Sequence, residues 1–248
     1  MSGTVYLVGA GPGAPDLLTV RAARLLAVAD IVLHDALVHP ETLALAAKAL
    51  RVAVGKRCGR HSGAQAFINK RLVDAARRHR VVVRLKGGDP MVFGRAQEEI
   101  DHLRAAGIRV EVVPGVTAAL AAAAELGASL TQRGVARSVA FVTPRIGAGE
   151  VDSRWAASAA AADTVALYMA AREAGAVRAA LVAAGVRADT PVALVESASL
   201  DSARRAAGPL WQLESLLAAS GEGPVLIVLG KAMAKAVAGQ RLRRAAGA

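Results

Sequence analysis

The stretch VYLVGAGPGAP, residues 5–15, decides the fold class of this chain. Its first four residues, Val5–Val8, are apolar and predict a buried strand, and the glycines and prolines that follow predict a tight turn. A helical pattern comes next, because Leu18, Leu25 and Leu26 recur at core-like spacing. A strand, a glycine turn and a helix in this order are typical of an α/β protein with a mostly parallel sheet.

The same alternation continues along the rest of the chain. Further strands are predicted at Ile31–Leu33, Val52–Val54, Val81–Leu85, Val110–Val113, Val139–Val142, Val165–Tyr168, Val192–Val195 and Val225–Leu229. Helices are predicted at Leu17–Ala29, Pro40–Ala49, Ala64–Arg78, Ala96–Ala105, Thr117–Leu126, Ala171–Ala183 and Leu210–Ala218, and Arg145–Ala162 is predicted as a loop with one short helix. The pattern begins again after the helix at Thr117–Leu126, and Pro114-Gly115 marks the division of the chain. We therefore expect two α/β domains with mostly parallel or mixed sheets, residues 1–114 and 115–240, and a basic tail at 241–248.

Composition excludes several classes of protein. Of the 248 residues 54% are hydrophobic, which rules out an intrinsically disordered chain. The single Cys rules out a disulfide scaffold and a Cys-based metal site, and the five His show no zinc-ligand spacing, so no metal is expected. No uninterrupted apolar run reaches about 18 residues, so we expect no membrane span. The N-terminus enters a strand pattern without a signal-peptide pattern, and a cytoplasmic protein is expected.

The charge is strongly basic. Lys plus Arg number 31 against 20 Asp plus Glu, a formal net charge of +11, and Arg supplies 25 of the 31 positive charges. Such a surplus suits nucleic acid, an anionic membrane surface or a polyanionic small molecule, and it also arises from genomic base composition alone. Aromatic residues make up only 3%, which leaves few stacking platforms for nucleic acid. We expect neither a nucleic-acid nor a membrane partner. A polyanionic small molecule and genomic base composition stay open as explanations of the positive charge.

The first glycine turn has some features of a dinucleotide site. Gly9, Gly11 and Gly13 follow a strand, and Asp35 lies about 20 residues further on. The spacing is G-x-G-x-G rather than G-x-G-x-x-G, and Pro12 lacks the amide that such a loop offers to pyrophosphate. A nicotinamide oxidoreductase is therefore a disfavoured alternative, and a tight turn that needs positive φ explains the glycines by itself.

Two further turns also follow predicted strands. Lys86–Pro90 follows the fourth strand and Pro114–Thr117 follows the fifth, and ligands gather at the carboxyl ends of strands in open α/β sheets. Asp35 and Lys56 end neighbouring strands, where they suit a general base and a general acid or are solvated surface charges. Asp89 suits a hydrogen-bond acceptor for a ligand or a cap for the next helix. Three turns on one sheet edge predict a ligand cleft.

Taken together, these motifs resemble the tetrapyrrole methylase family of S-adenosylmethionine-dependent C-methyltransferases. The resemblance covers roughly Val5–Gly230, and the segment at 84–95 is highly specific. The matching segments are VYLVGAGPG at 5–13, HDALV at 34–38, VGKR at 54–57, RLKGGDPMVFGR at 84–95, VVPGVTA at 112–118, LTQRG at 130–134, YM at 168–169 and TPVALVE at 190–196. Four positions depart from the family pattern, all in the second half: Gln132, Pro144, Ala170 and Ala198.

The resemblance implies a fold, a reaction and an assembly. It implies a tetrapyrrole-methylase-like fold with the active site in the cleft between the two domains, and a homodimer. Its cofactor is S-adenosylmethionine, which leaves as S-adenosylhomocysteine, and it uses no metal. The implied reaction methylates uroporphyrinogen III, a tetrapyrrole with eight carboxylates, at C2 and C7 to give precorrin-2 for cobalamin or sirohaem synthesis. Methylation of another precorrin or corrin ring, or of RNA, is the alternative within the family.

Residue roles carry over by position. The implied proton acceptor is Asp35 and the implied proton donor is Lys56. The cofactor contacts fall on Pro12, Gly87, Gly88, Asp89, Val92, Thr117, Ala118, Met169 and Ala198. Basic residues around the predicted cleft suit the substrate carboxylates, because guanidinium–carboxylate hydrogen bonds are charge-assisted. With Lys56 they form an expected exposed rim: Arg57, Arg60, Arg84 and Arg95.

Overall fold

The computed structural model describes residues 2–55, 62–147 and 153–239. The chain divides into two compact units, Met1–Ala118 and Ala119–Ala248. Each unit is an α/β structure built on a five-stranded sheet. The expectation of two α/β units with parallel and mixed sheets is therefore confirmed.

The first unit contains a parallel sheet with the strand order β3-β2-β4-β1-β5. Its strands are β1 (Thr4–Gly9), β2 (Ile31–His34), β3 (Leu50–Ala53), β4 (Val81–Lys86) and β5 (Val110–Val113). Its helices are α1 (Val20–Val28), α2 (Pro40–Ala44), α3 (Ser62–Arg78) and α4 (Ala96–Ala105), and a short 3-10 helix spans Pro15–Leu17.

Both faces of this sheet are buried. Along β1, Leu7 packs into a cluster with Leu72 of α3 and Leu103 of α4. The next residue, Val8, packs into a second cluster with Leu26 of α1. Because neighbouring side chains of a strand point to opposite faces, the continuous apolar run at the start of the chain is what a sheet covered on both sides requires.

Two of the predicted helices of the first unit are shorter than expected. The first begins at Val20 because the Thr19 hydroxyl accepts a hydrogen bond from the Ala22 amide at 3.2 Å, which caps the helix there. The second ends at Ala44, after which the chain continues in turns.

The second unit contains a mixed sheet with the strand order β6-β7-β10-β8-β9. Its strands are β6 (Val139–Val142), β7 (Thr164–Leu167), β8 (Pro191–Glu196), β9 (Arg204–Pro209) and β10 (Val225–Gly230). Its helices are α5 (Ala118–Leu126), α6 (Trp155–Ala161), α7 (Ala174–Ala183) and α8 (Leu213–Ala218), with 3-10 turns at Ala171–Glu173, Leu210–Gln212 and Lys231–Met233. Strands β6 and β7 pair in parallel, and the other pairs are antiparallel.

Strand β9 was not expected from the sequence. Its residues, RRAAGP, include no β-branched or aromatic side chain. It pairs along its full length with β8, from Pro191 opposite Pro209 to Glu196 opposite Arg204. Pairing at the sheet edge thus outweighs a poor intrinsic propensity. Among the described residues, no helix is both long and apolar enough to cross a membrane.

Candidate active site

The carboxyl ends of the parallel strands bring the three glycine turns together. Strands β4, β1 and β5 are neighbours in the first sheet, so the turns that follow them share one edge. The turns after β1 and β4 are joined by two hydrogen bonds, from the Gly88 amide to the Gly11 carbonyl at 2.7 Å and from the Gly11 amide to the Gly88 carbonyl at 3.2 Å. The predicted meeting of these turns is confirmed.

Glycine is required where the turns touch. A Cβ atom on Gly9 would lie 2.6 Å from the Gly115 Cα and 2.7 Å from the Gly88 carbonyl oxygen. A Cβ atom on Gly115 would meet the same Gly88 oxygen. All of these neighbours are backbone atoms that cannot move aside, so a side chain at either position would push the turns apart.

Asp89 ties two of the turns to each other. One carboxylate oxygen accepts a hydrogen bond from the Met91 amide at 2.8 Å, and the other accepts one from the Gly115 amide at 2.9 Å. The helix-capping alternative does not describe Asp89, because α4 begins only at Ala96 and its N-cap residue is Arg95. Asp89 holds the turn after β4 against the turn after β5.

Bare backbone lines part of this edge. Gly87 is exposed, and the one described atom that a Cβ there would meet is the Leu37 Cβ, at 3.6 Å. Gly88 has a φ of +67°, which favours glycine. This open glycine surface fits a ligand that lies flat against main chain. The predicted cofactor residues of the first unit all lie on this edge: Pro12, Gly87, Gly88, Asp89, Val92, Thr117 and Ala118.

Asp35 follows β2 on the same edge and is held by Arg84. Its Oδ1 lies 2.6 Å from the Arg84 Nη2 in an ion pair, and its amide donates to the Leu85 carbonyl at 3.2 Å. The Asp35 side chain is 30% exposed, whereas that of Arg84 is 2% exposed. Asp35 therefore offers a carboxylate to solvent while a buried guanidinium fixes its orientation. Its expected partner, Lys56, lies outside the described residues.

A buried charge cluster stands behind Asp35. Glu99 of α4 is fully buried, and its Oε1 accepts hydrogen bonds from Arg84 Nε at 3.1 Å, Lys86 Nζ at 3.0 Å and Gln65 Nε2 at 3.3 Å. Within the described parts of the chain, its Oε2 is buried without a hydrogen-bond partner. Burial, followed by the nearby charge of Arg84, lowers the pKa of Lys86, and the carboxylate of Glu99 opposes that shift.

The exposed rim of cations is only partly as expected. Arg84 does not stand on an exposed rim, because it is buried against two carboxylates. Arg95 is exposed, but its guanidinium is paired with Glu98, at 2.7 Å from Nε to Oε1 and 2.8 Å from Nη2 to Oε2. Arg57 and Arg60 lie outside the described residues. Substrate contacts at Arg57, Arg60 and Arg95 stay predictions, whereas the guanidinium of Arg84 is already held by Asp35 and Glu99.

Sequence reasoning did not identify Glu99 as part of the site. It lies on the buried face of α4 together with Ala96, Ile100 and Leu103. A carboxylate within the apolar stripe of a helix predicts a buried cation as its partner. Glu99 has two such partners, Arg84 and Lys86, both from β4.

The remaining predicted cofactor residues belong to the second unit. Met169 follows β7 and Ala198 follows β8; both strands run antiparallel to β10 between them, so both residues lie at one sheet edge. Met169 has a φ of +57°, and Ala198 is buried between Ser197 and Ser199, which have φ values of +50° and +74°. Glu196, at the end of β8, accepts hydrogen bonds from the amides of Gly221 at 2.9 Å and Gly223 at 2.8 Å.

Two other observations bear on the predicted site, the first of them in the second unit. The Tyr168 hydroxyl accepts a hydrogen bond from the Ala119 amide at 3.1 Å, in the first turn of α5. In the part of the chain that the structure describes, no group of three or more His, Cys, Asp or Glu residues is arranged to hold a metal ion.

Gly87 and Gly88 form a glycine-lined cradle beside the oriented carboxylate of Asp35, at the carboxyl edge of a parallel sheet. Such an arrangement is typical of α/β enzymes that bind small ligands at this edge. The profile of the family described as Tetrapyrrole (Corrin/Porphyrin) Methylases matches residues 4–214. The chain belongs to the tetrapyrrole methylase family, which confirms the resemblance and the expectation of a methyltransferase.

Several relatives are similar over nearly the whole chain. Siroheme synthase of Chromobacterium violaceum is 48% identical over 232 residues, which are 93% of this chain and 49% of that protein. Siroheme synthase of Zymomonas mobilis is 44% identical over 230 residues. The chain thus spans about half the length of these curated relatives.

Solved structures agree with this relationship. Uroporphyrin-III C-methyl transferase from Thermus thermophilus, solved in complex with S-adenosyl homocysteine, is 39% identical with a TM-score of 0.83; the match covers 94% of this chain and 100% of that one. Cobalt precorrin-4 methyltransferase is 30% identical with a TM-score of 0.79, over 93% of this chain and 95% of that one.

Proposed function

We propose that this protein transfers methyl groups from S-adenosylmethionine to C2 and C7 of uroporphyrinogen III, giving precorrin-2. The observation that carries the proposal is the glycine cradle beside Asp35, in a chain that is 39% identical along the whole length of a uroporphyrin-III C-methyl transferase. Methylation of another precorrin ring is the second candidate, because the cobalt precorrin-4 enzyme is 30% identical.

The cofactor would lie on the turns after β1, β4 and β5. Gly87 and Gly88 leave room for it against main chain, and Asp89 keeps the turns at a fixed spacing through Met91 and Gly115. When bound, S-adenosylmethionine supplies an electrophilic methyl group. The chain's own contribution is positioning, which is worth roughly 7–11 kcal/mol when reacting atoms are held in line. Met169 and Ala198 of the second unit are proposed as further contacts.

Asp35 is the proposed proton acceptor. A pyrrole carbon that gains a methyl group leaves a cationic ring, which regains neutrality by losing a proton to a base. Asp35 suits this task, since its carboxylate is partly exposed and is oriented by Arg84 from behind. Lys56 is the proposed proton donor, and it follows the next strand of the sheet.

The substrate carboxylates explain part of the positive charge. Arg57, Arg60 and Arg95 are the proposed partners, and each charge-assisted hydrogen bond contributes about 1.5–3 kcal/mol. Arg84 is not proposed to bind a substrate carboxylate, because it already pairs with Asp35 and Glu99 of the protein. Its proposed role is to orient Asp35. The proposal extends to a cytoplasmic homodimer that works without a metal, and to use of the product in sirohaem or cobalamin synthesis.

The test is anaerobic incubation of the purified protein with methyl-labelled S-adenosylmethionine and, in separate reactions, uroporphyrinogen III or a precorrin, followed by mass analysis of the tetrapyrrole. A product heavier by two labelled methyl groups supports the proposal. Label on a precorrin but not on uroporphyrinogen III supports the second candidate. Bound cofactor with label on neither tetrapyrrole rejects both candidates.

A further inference from the structure

The charge cluster that includes Asp35 contains two carboxylates and two cations. Arg84 and Lys86 both come from β4, and the side chains of both are less than one-twentieth exposed. Among the described residues, Glu99 is the one carboxylate that contacts both cations, through a single oxygen. Asp35 is the second acid, and of these two cations it pairs with Arg84. With all four groups ionised, the cluster is neutral.

The contacts form a chain that leads to Asp35. The Arg84 guanidinium uses Nε for Glu99, Nη1 for the Leu85 carbonyl at 3.3 Å and Nη2 for Asp35. A planar guanidinium with three fixed acceptors has one orientation, so the position of Glu99 determines where Nη2 points. Glu99 itself is fixed from α3 by Gln65.

We propose that Glu99 is a positioning residue for the methyl-transfer reaction: it fixes Arg84 against Asp35 and neutralises the second cation, Lys86, so that Asp35 remains an effective base. This inference rests on the proposed function, because it assigns Glu99 a task in the reaction of Asp35. Glu99 lies behind the sheet edge and is not proposed to touch substrate or cofactor.

Because of Lys86, the expected effect of replacing Glu99 depends on pH. Within the described ranges, the charged groups that act on Lys86 are Arg84, Glu99 and Asp35, and Lys86 in turn acts on Glu98. Burial lowers the pKa of Lys86 and Glu99 raises it, so Glu99→Gln lowers that pKa further. At low pH this variant carries one uncompensated positive charge near Asp35, which stabilises the carboxylate and weakens it as a base. As the pH rises, Lys86 loses its proton and the cluster becomes neutral again.

The experiment measures kcat and KM against pH for the wild type, Glu99→Gln, Glu99→Gln/Lys86→Met and Asp101→Asn. Asp101 lies on α4 like Glu99, but it is exposed and bonded only to Gln97, so Asp101→Asn serves as the matched control. We expect Glu99→Gln to lose on the order of tenfold in kcat at low pH with an unchanged KM for S-adenosylmethionine. The deficit shrinks as the pH rises, and the double variant shows no such pH dependence.

A further variant separates geometry from charge. Glu99→Asp keeps the charge but withdraws the carboxylate by one methylene, so we expect a lower kcat with a pH-independent deficit. Two results would overturn the inference. The first is a wild-type kcat in the Glu99 variants, and the second is a kcat deficit of Glu99→Gln that is the same at every pH and persists in the double variant. If Glu99→Gln does not fold, as judged by loss of S-adenosylhomocysteine binding, Glu99→Asp decides: wild-type kcat rejects the inference and a lowered kcat supports it. If the wild type itself transfers no methyl group, the proposed function fails and the inference fails with it.

Discussion

The Arg84 Nη2 atom lies 2.6 Å from the Asp35 Oδ1, although the two residues are 49 positions apart in the chain. The parallel pairing of β2 with β4 brings them together, with His34 opposite Leu85. A partly exposed carboxylate is thereby held by a guanidinium that is 2% exposed. The candidate base is oriented from inside the fold, which leaves its outer side open to a substrate.

Replacement of Arg84 should therefore affect both stability and turnover. Arg84→Met leaves Asp35 unpaired and removes one cation from the buried Glu99, and loss of one partner of a buried pair costs about 3–5 kcal/mol. Chemical denaturation measures this loss. The matched control is Arg178→Met, whose partner Glu214 lies in an ion pair that is about 40% exposed, and there about 0–1 kcal/mol is expected. Equal losses in the two variants would contradict the buried cluster.

Alanine at Gly87 should weaken cofactor binding without unfolding the protein. In the part of the chain that the structure describes, its Cβ meets the Leu37 Cβ alone, at the ordinary contact distance of 3.6 Å, so the described fold has room for it, but it occupies the proposed cradle. We expect the Kd for S-adenosylhomocysteine to rise about tenfold or more, equivalent to about 1.4 kcal/mol, by isothermal titration calorimetry. Gly175→Ala, on α7, is the control and should bind like the wild type, since its Cβ meets only a Glu214 side-chain oxygen at 3.6 Å. Wild-type affinity in Gly87→Ala would place the cofactor elsewhere.

Alanine at Gly9 should instead destabilise the fold. Its Cβ would approach backbone atoms of Gly115 and Gly88 within 2.6–2.7 Å, and overpacking of this kind costs about 1–3 kcal/mol or more. Thermal melting of Gly9→Ala and Gly87→Ala side by side checks the difference. A Gly9→Ala variant that melts at the wild-type temperature would refute the close approach of the turns.

Asp89→Ala should loosen the cradle. The variant removes the acceptors of the Met91 and Gly115 amides, and hydrogen bonds to a charged group contribute about 1.5–3 kcal/mol each. We expect the Kd for S-adenosylhomocysteine to rise about 10- to 100-fold. The control is Asp16→Ala, which should leave the affinity unchanged. Asp16 is an exposed carboxylate in the 3-10 helix Pro15–Leu17, directly after the first glycine turn. Affinity that is equal in the two variants would remove Asp89 from the site.

Low pH should lower the stability of the second unit because Glu196 becomes protonated. Hydrogen bonds from the backbone, chiefly from the Gly221 amide and also from that of Gly223, hold the pKa of Glu196 below its ordinary value of 4.5. A lowered folded-state pKa contributes stability that is present above the unfolded-state pKa and is lost as the pH falls through the folded-state value. The free energy of unfolding should therefore fall less steeply below about pH 4.5 in Glu196→Gln than in the wild type. Glu222→Gln, in the same loop but exposed, should retain the wild-type slope, and the opposite ranking would contradict this role.

The features predicted correctly from the sequence are those that follow from local chemistry. Apolar runs mark the strands, and the glycine turns must lie at strand ends, so the edge that carries Gly9, Gly88 and Asp35 could be predicted. Strand β9 could not, because only its pairing with β8 makes a strand of RRAAGP.

The burial of Arg84 could also not be predicted from the residues next to it in the sequence. An arginine at the end of a strand is ordinarily a surface cation, and only the α4 carboxylate packed against β4 makes its burial tolerable. The cluster depends on contacts between residues 15 and 49 positions apart, which no local pattern encodes.

The central claim, two methyl transfers to uroporphyrinogen III, is tested most directly by carbon NMR of the product made anaerobically with ¹³C-methyl S-adenosylmethionine. The account predicts two new labelled methyl signals, on ring carbons C2 and C7, with the wild type, and strongly reduced label with Asp35→Asn under conditions where S-adenosylhomocysteine still binds. A wild-type protein that binds the cofactor but places no label on the ring, or Asp35→Asn that labels it at the wild-type rate, would contradict the account.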